Sequence, residues 1–213
     1  GTAAHWVASE YLQHGVIANV GDLAPNGVAV TDEMIDGAYL YADAVRPYHT
    51  PESRIEQHIE CLYVHRDCHG TPDFSYGPAD GVLFISDYKF GHRYVSPERN
   101  WQLIAYAIGS MVAYYPTMRV ILQIVQPRSY HRDGPVREWV IDGDQLRRYA
   151  GELHDACMAA LEPDAQCKAG PHCYMCPARI ACEAALHAEQ DALYLSGTSI
   201  PLEASLASKA IRL

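Results

Sequence analysis

Asp87 and Lys89 are two residues whose types and spacing could support metal-dependent chemistry. They lie two positions apart in a run that reads as a β-strand, so both side chains point to one face of that strand. Asp73 ends the segment Gly70-Thr71-Pro72-Asp73 beside the neighbouring predicted strand. Carboxylates are the hard oxygen ligands that Mg²⁺ and Mn²⁺ prefer, and a lysine beside them suits a site that faces a substrate. The pattern predicts metal-assisted hydrolysis at phosphorus; the alternative is an exposed Asp–Lys pair at a strand end.

Two further polar positions belong to the helices around this strand. Gln102 and Tyr106 are four positions apart, on one face of the helix that directly follows Asp87 and Lys89. His5 lies in the first predicted helix, near its start. A packed or surface histidine is the simpler interpretation of His5 alone, and Tyr106 could simply fill the core.

Hydrophobic periodicity and capping residues define the elements that must position these side chains. Helices are predicted for residues 2–16, 32–45, 96–115, 142–161 and 178–193, and strands for 54–64, 71–76, 82–89, 118–126 and 137–141. Thr31 and Ser96 are the predicted N-caps of the second and third helices. This order predicts an α/β domain with a central mixed β-sheet flanked by helices.

Four cysteines form a second candidate site near the end of the chain: Cys167, Cys173, Cys176 and Cys182. No signal peptide is visible, so we expect a cytoplasmic protein whose clustered cysteines bind a metal rather than form disulfides. Four thiolates suit zinc or an iron–sulfur cluster, and His172 could substitute in a zinc site. The predicted division is a core over residues 1–162, a cysteine-rich metal-binding module over 163–195 and a tail over 196–213.

Composition narrows the function classes. The 213 residues carry a formal net charge of −10, which argues against a generic polyanion binder but leaves room for a local basic patch on a nucleic-acid enzyme. The hydrophobic fraction of 49% fits a globular domain, and no apolar run approaches the length of a membrane span, so no membrane partner is expected.

Taken together, these motifs resemble the RecB-like branch of the PD-(D/E)XK nucleases over about residues 1–182. The N-terminal Gly-Thr-Ala-Ala-His pattern is also similar to uncharacterised phage and prophage proteins of that group. The resemblance implies a restriction-endonuclease-like core. It assigns Asp73, Asp87 and Lys89 to catalysis. It places His5, Asp73, Asp87 and the main-chain carbonyl of Tyr88 around Mg²⁺ or Mn²⁺. It gives DNA contact to Gln102 and Tyr106.

The resemblance extends to the cysteine segment. Its Cys173-x2-Cys176-x5-Cys182 spacing is similar to the C-terminal cluster of iron–sulfur RecB-type exonucleases, in which the fourth cysteine lies upstream of the helix histidine. Here the fourth ligand is either Cys167 or a residue upstream of Gly1. We favour a [4Fe–4S] cluster with Cys167, and Zn²⁺ is the alternative.

The function expected from these observations is a divalent-metal-dependent DNA exonuclease in phage-type recombination or DNA end processing. Its expected partners are linear duplex or single-stranded DNA and, through the phage setting, a single-strand annealing protein, in a bacterial or phage-infected host cell. The alternatives are an endonuclease on the same fold and a non-enzymatic, metal-stabilised DNA-binding or scaffold protein. The intact set of His5, Asp73, Asp87 and Lys89 favours an enzyme.

Overall fold

The α/β architecture predicted from the sequence is present in the computed structural model, which describes residues 1–77, 81–111 and 118–195. The α-helices are α1 (Thr2–His14), α2 (Asp32–Val45), α3 (Trp101–Ser110), α4 (Gly143–Ala160) and α5 (Glu183–Leu195). The strands are β1 (Arg54–Ile55), β2 (Ile59–Glu60), β3 (His69–Gly70), β4 (Phe74–Tyr76), β5 (Val82–Tyr88), β6 (Arg119–Val125) and β7 (Val136–Asp142). Among these residues, no helix is long and apolar enough to cross a membrane.

A five-stranded mixed sheet in the order β1-β4-β5-β6-β7 forms the centre of the first unit. β5 and β6 pair in parallel, with α3 in the connection between them, and the other neighbours are antiparallel. β5 continues past β4: Phe74 pairs with Ser86, which leaves Asp87 and Tyr88 beyond the last β4 pair. The carboxyl end of β5 is therefore open on that side.

Alternating side chains of the central strands bury two cores, one on each face of the sheet. Phe84 and Tyr88 pack with residues of α1 and α2. Leu83 and Ile85 pack with residues of α3 and α4 on the opposite face. β6 is buried on both faces, as its continuous apolar run predicts, because helices cover both sides of it.

Capping residues explain where three helices begin. Thr31 accepts a hydrogen bond from the Met34 N–H, which confirms the predicted start of α2. Asp142 accepts one from the Gln145 N–H at the start of α4. The start predicted for α3 at Ser96 is wrong, since the cap is Asn100, whose side chain accepts from the N–H groups of Gln102 and Leu103.

The reason for the shifted start of α3 is a backbone break before Asn100. Arg99 has a φ of 50°, in the left-handed region, so the turn that begins at Ser96 cannot continue as helix. The predicted end of this helix, near residue 115, lies outside the described residues.

The strand predicted over residues 54–64 is also divided. β1 belongs to the main sheet, whereas β2 pairs with β3 in a separate two-stranded sheet. Between them Glu56 has a φ of 50°, which no continuous strand accommodates.

The chain divides into two compact units, Gly1–Met158 and a second unit that begins at Ala159, just before the boundary predicted at residue 162. Within the described part of the second unit, the short 3₁₀ helices Pro171–Met175 and Arg179–Ala181 precede α5. Arg179 forms an ion pair with Glu189 of α5. The predicted tail, residues 196–213, lies outside the described residues.

Candidate active site

Asp73 is held at the open end of β5 by the backbone of that strand. Its Oδ2 accepts a hydrogen bond of 2.6 Å from the Tyr88 N–H, a donor left without a β4 partner because β5 outruns β4. The Nε2 atom of His5, on α1, lies 3.5 Å from the same oxygen. His5 is itself tied to the start of its helix by a 3.1 Å contact between its Nδ1 and the Gly1 carbonyl oxygen.

Asp87 and Lys89 meet on the α3 side of the sheet, as their spacing predicts. The Asp87 side chain is only 4% exposed, and the Lys89 Nζ lies 2.8 Å from its Oδ2. The Lys89 ammonium is the partner of this buried oxygen, and a carboxylate oxygen can accept from more than one group. A buried carboxylate oxygen in this state still has room for a further electropositive partner.

Gln102 and Tyr106 extend the site along α3. Lys89 Nζ donates a 2.9 Å hydrogen bond to Gln102 Oε1, and Gln102 Nε2 donates one of 3.0 Å to the Tyr106 hydroxyl. The Tyr106 ring lies against Gly70, where a Cβ atom would come within 2.5 Å of the ring. The structure thus brings all seven predicted residues of the carboxylate site to the carboxyl end of β5, the end where α/β sheets bind ligands.

The charges of these groups depend strongly on one another. Burial and then the charge of Asp73 raise the pKa of Asp87 to about 6, although Lys89 opposes the shift. Burial lowers the pKa of His5, but the hydrogen bond to Asp73 and its charge outweigh that effect and raise the pKa to about 9. At neutral pH His5 is therefore an imidazolium paired with Asp73, and Asp87 is largely ionised beside Lys89.

Glu56 is a site residue that the sequence analysis missed. Its N–H donates a 3.2 Å hydrogen bond to the Asp73 carbonyl oxygen, and with His5 and Asp73 it lines an open cleft of about 500 Å³. Partial burial and then the charge of Asp73 raise the pKa of its carboxyl to about 7. Glu56 falls inside the strand predicted over residues 54–64, and no role in the site was predicted for it. A left-handed glutamate has no reliable sequence signal, so nothing in the pattern could have identified it.

The atoms at this end of β5 are of the types that a hard divalent cation prefers. They are the carboxylate oxygens of Asp73 and Asp87. The Tyr88 carbonyl faces the Asp73 side, because Tyr88 directs its N–H to Asp73 whereas the next residue donates to Val125 of β6 at 2.8 Å. Across the described residues, however, no group of three or more His, Cys, Asp or Glu side chains is gathered tightly enough to hold a metal ion.

The four cysteines of the second unit lie in and around its two 3₁₀ helices, with Cys167 four positions before the first of them. Cys173 and Cys176 are linked by a backbone hydrogen bond of 3.2 Å. The charge of Cys182, a hydrogen bond with it, and the charges of Cys176 and Cys173 raise the pKa of the Cys167 thiol. The thiols therefore lie within mutual electrostatic range, and none of the four forms a disulfide. A metal-binding module is not shown by this arrangement and stays a prediction.

A search against known proteins adds one finding. A family model described as "Protein of unknown function (DUF2800)" matches residues 1–204. No curated protein matches the chain.

Proposed function

The chain belongs to the DUF2800 family, whose function is unknown, and we propose from the site itself that it is a divalent-metal-dependent deoxyribonuclease. The observation that carries this proposal is the convergence of two carboxylates and one lysine. The Asp73 carboxylate accepts a hydrogen bond from the Tyr88 N–H, and the Asp87 carboxylate lies 2.8 Å from the Lys89 Nζ. Both contacts are at the carboxyl end of β5. This arrangement of a core sheet and site residues supports a restriction-endonuclease-like fold of the RecB-like PD-(D/E)XK type.

Asp73, Asp87, the Tyr88 carbonyl and a deprotonated His5 would hold Mg²⁺ or Mn²⁺. When bound, such an ion supplies Lewis acidity at the scissile phosphate. Lys89 holds a positive charge beside Asp87 and can orient a water or a phosphate oxygen. Gln102 fixes the Lys89 ammonium through its 2.9 Å hydrogen bond.

Gln102 and Tyr106 would also contact the DNA backbone next to the scissile bond. Both have polar atoms at the mouth of the site, on the same helical face, and the Gln102 side chain is exposed. An exonuclease acting in DNA recombination or end processing is the form of the proposal that the resemblance favours. An endonuclease would use the same residues, and a non-enzymatic DNA-binding protein would not need the buried Asp87–Lys89 pair.

The proposal is tested by cleavage of linear duplex and single-stranded DNA with Mn²⁺ and with EDTA. Cleavage should require the metal, and Asp87→Ala and Lys89→Ala should each reduce it by several orders of magnitude. Asp36→Ala, a change at an exposed aspartate of α2, is the matched control and should cleave normally. Near-normal cleavage by folded Asp87→Ala would reject the proposal, and closed-circular DNA separates exonuclease from endonuclease.

For the second unit we propose a structural [4Fe–4S] cluster on Cys167, Cys173, Cys176 and Cys182, with Zn²⁺ as the alternative. Soft thiolates suit these centres, and four of them leave no open position for a substrate. Anaerobically purified protein should be brown and lose its colour in Cys176→Ser. Colourless protein with one zinc per chain would replace the cluster by zinc, whereas metal-free protein with four titratable thiols would reject the site.

A further inference from the structure

A surface beside the active site has a composition unlike that of the rest of the chain. It consists of residues 90–95, which directly follow Lys89, and residues 127–134, which follow β6; we call it the carboxyl-edge rim. Its fourteen positions contain three arginines and two histidines against one aspartate, in a protein whose net charge is −10; one of the arginines, Arg128, is paired with Glu33 of α2 at 3.1 Å. Residues 91–94 and 130–133 are exposed.

The two segments of the rim are bound to each other. The His92 ring nitrogen lies 3.1 Å from the Arg128 carbonyl oxygen. Tyr94 donates a 3.1 Å hydrogen bond to Asp133, and its ring lies 4.2 Å from the ring of His131. The rim is therefore one surface rather than two independent loops.

A buried polar pair beneath the rim fixes its shape. Gln126 is completely buried, and its Nε2 donates to the carbonyl oxygens of Gly91 and Arg93 at 2.8 and 2.7 Å. The buried Arg137 guanidinium donates to Gln126 Oε1 at 2.7 Å and to the carbonyls of Val95 and Gly134. Burying a guanidinium among neutral acceptors costs free energy. In agreement, burial lowers the pKa of Arg137. Such a scaffold is expected where the exact path of a surface loop matters for function.

The outer face of this rigid rim presents an aromatic ring and cations. Tyr130 is 91% exposed, and the Arg132 side chain is exposed to the same fraction. Arg132 lies 3.6 Å from Asp133, a contact too long and too exposed to neutralise it. An exposed ring beside arginines is the arrangement that binds single-stranded nucleic acid, because bases stack on the ring and phosphates pair with the cations.

We propose that the carboxyl-edge rim binds one unpaired strand of nucleic acid and delivers it to the active site, with a base stacked on Tyr130 and phosphates against Arg132. This inference rests on the proposed function, whose substrate it specifies. The first rim segment begins at the residue after Lys89, and the second follows β6, the parallel neighbour of β5, so both segments lie at the sheet edge that carries the Asp87–Lys89 pair. Stacking requires an unpaired base, so the strand is single rather than duplex.

The test is binding of a fluorescently labelled dT20 oligonucleotide by anisotropy in EDTA, where cleavage cannot occur. Tyr130→Ala should raise the Kd about tenfold, whereas Tyr130→Trp should keep it within about twofold, because an indole also stacks. Arg132→Gln should reduce the slope of log K against log salt by about 0.7. Tyr63→Ala is the matched control: Tyr63 is 60% exposed but lies in the turn between β2 and β3.

Unchanged dT20 binding by Tyr130→Ala would overturn the inference, and so would a loss of equal size for a blunt duplex of the same length. The outcome is separable from that of the proposed function. A protein that binds dT20 through Tyr130 but cleaves no DNA keeps the rim and rejects the nuclease. Asp87-dependent cleavage together with normal dT20 binding by Tyr130→Ala would keep the nuclease and reject the rim.

Discussion

The Asp73 carboxylate accepts a 2.6 Å hydrogen bond from the backbone N–H of Tyr88. The two residues are adjacent because β5 runs two residues beyond its last pair with β4, and Asp73 comes immediately before that pair in β4. The Asp73 side chain thus takes the place of a β4 acceptor for the Tyr88 N–H, at the point where the β4–β5 pairing ends. The same hydrogen bond fixes one carboxylate of the site and satisfies a backbone donor that would otherwise be unpaired.

Asp87 is expected to reduce the stability of the metal-free protein above pH 6. Its pKa rises from 3.8 to about 6 on folding, so the contribution of its protonated form is complete below pH 4 and is lost as the pH rises through 6. Asp87→Asn should therefore raise the free energy of unfolding in EDTA at pH 8 by roughly 2–3 kcal/mol, and much less at pH 4. Urea denaturation of this variant and of Asp36→Asn measures the effect, and equal gains in both would contradict it.

His5 is expected to stabilise the metal-free protein most below neutral pH. Its pKa rises from 6.5 to about 9 on folding, so its contribution is complete below pH 6.5 and is lost as the pH rises through 9. His5→Gln should cost up to about 3 kcal/mol at pH 6.5 and little at pH 10. The control is His14→Gln, at an exposed position in the last turn of the same helix, and the difference between the two should vanish at high pH.

Glu56 is expected to trade stability for function. Its φ of 50° is strained for a residue with a side chain, so Glu56→Gly should raise the unfolding free energy by about 1 kcal/mol while lowering DNA cleavage. Arg99→Gly is the matched control because Arg99 has the same φ. Thermal unfolding and cleavage assays separate the two effects, and wild-type cleavage by Glu56→Gly would remove Glu56 from the site.

Gly70 is expected to be coupled to Tyr106. A Cβ atom at Gly70 would lie 2.5 Å from the Tyr106 ring, so Gly70→Ala must displace that ring. We expect a loss of about 1–3 kcal/mol in stability together with reduced cleavage, and in a Tyr106→Ala background the cost should fall below about 0.5 kcal/mol. Gly91→Ala, where a Cβ meets nothing within 4 Å, should be neutral. Additive losses in the double variant would show that the two residues act independently.

Local signals in the sequence determined most helices and strands and identified many of the residues that form the site. Alternation placed Asp87 and Lys89 on one face of β5, and capping set the starts of α2 and α4, because these features depend on residues within a few positions of each other. The predicted start of α3 and the predicted continuity of the strand over residues 54–64 are wrong, because Arg99 and Glu56 take left-handed backbone conformations. Such conformations are imposed by surrounding contacts rather than by residue type.

Only the tertiary structure decided how distant residues meet. Neither periodicity nor spacing could predict the strand register that brings the Asp73 carboxylate to the Tyr88 N–H. They also could not predict that His5 lies near Asp73, or that Glu56 lines the same cleft. The buried Gln126–Arg137 pair that shapes the carboxyl-edge rim was equally invisible, because both residues read as ordinary polar positions. Strand pairing brings these groups together across long stretches of chain, and the resulting burial and mutual charge then set their pKa values.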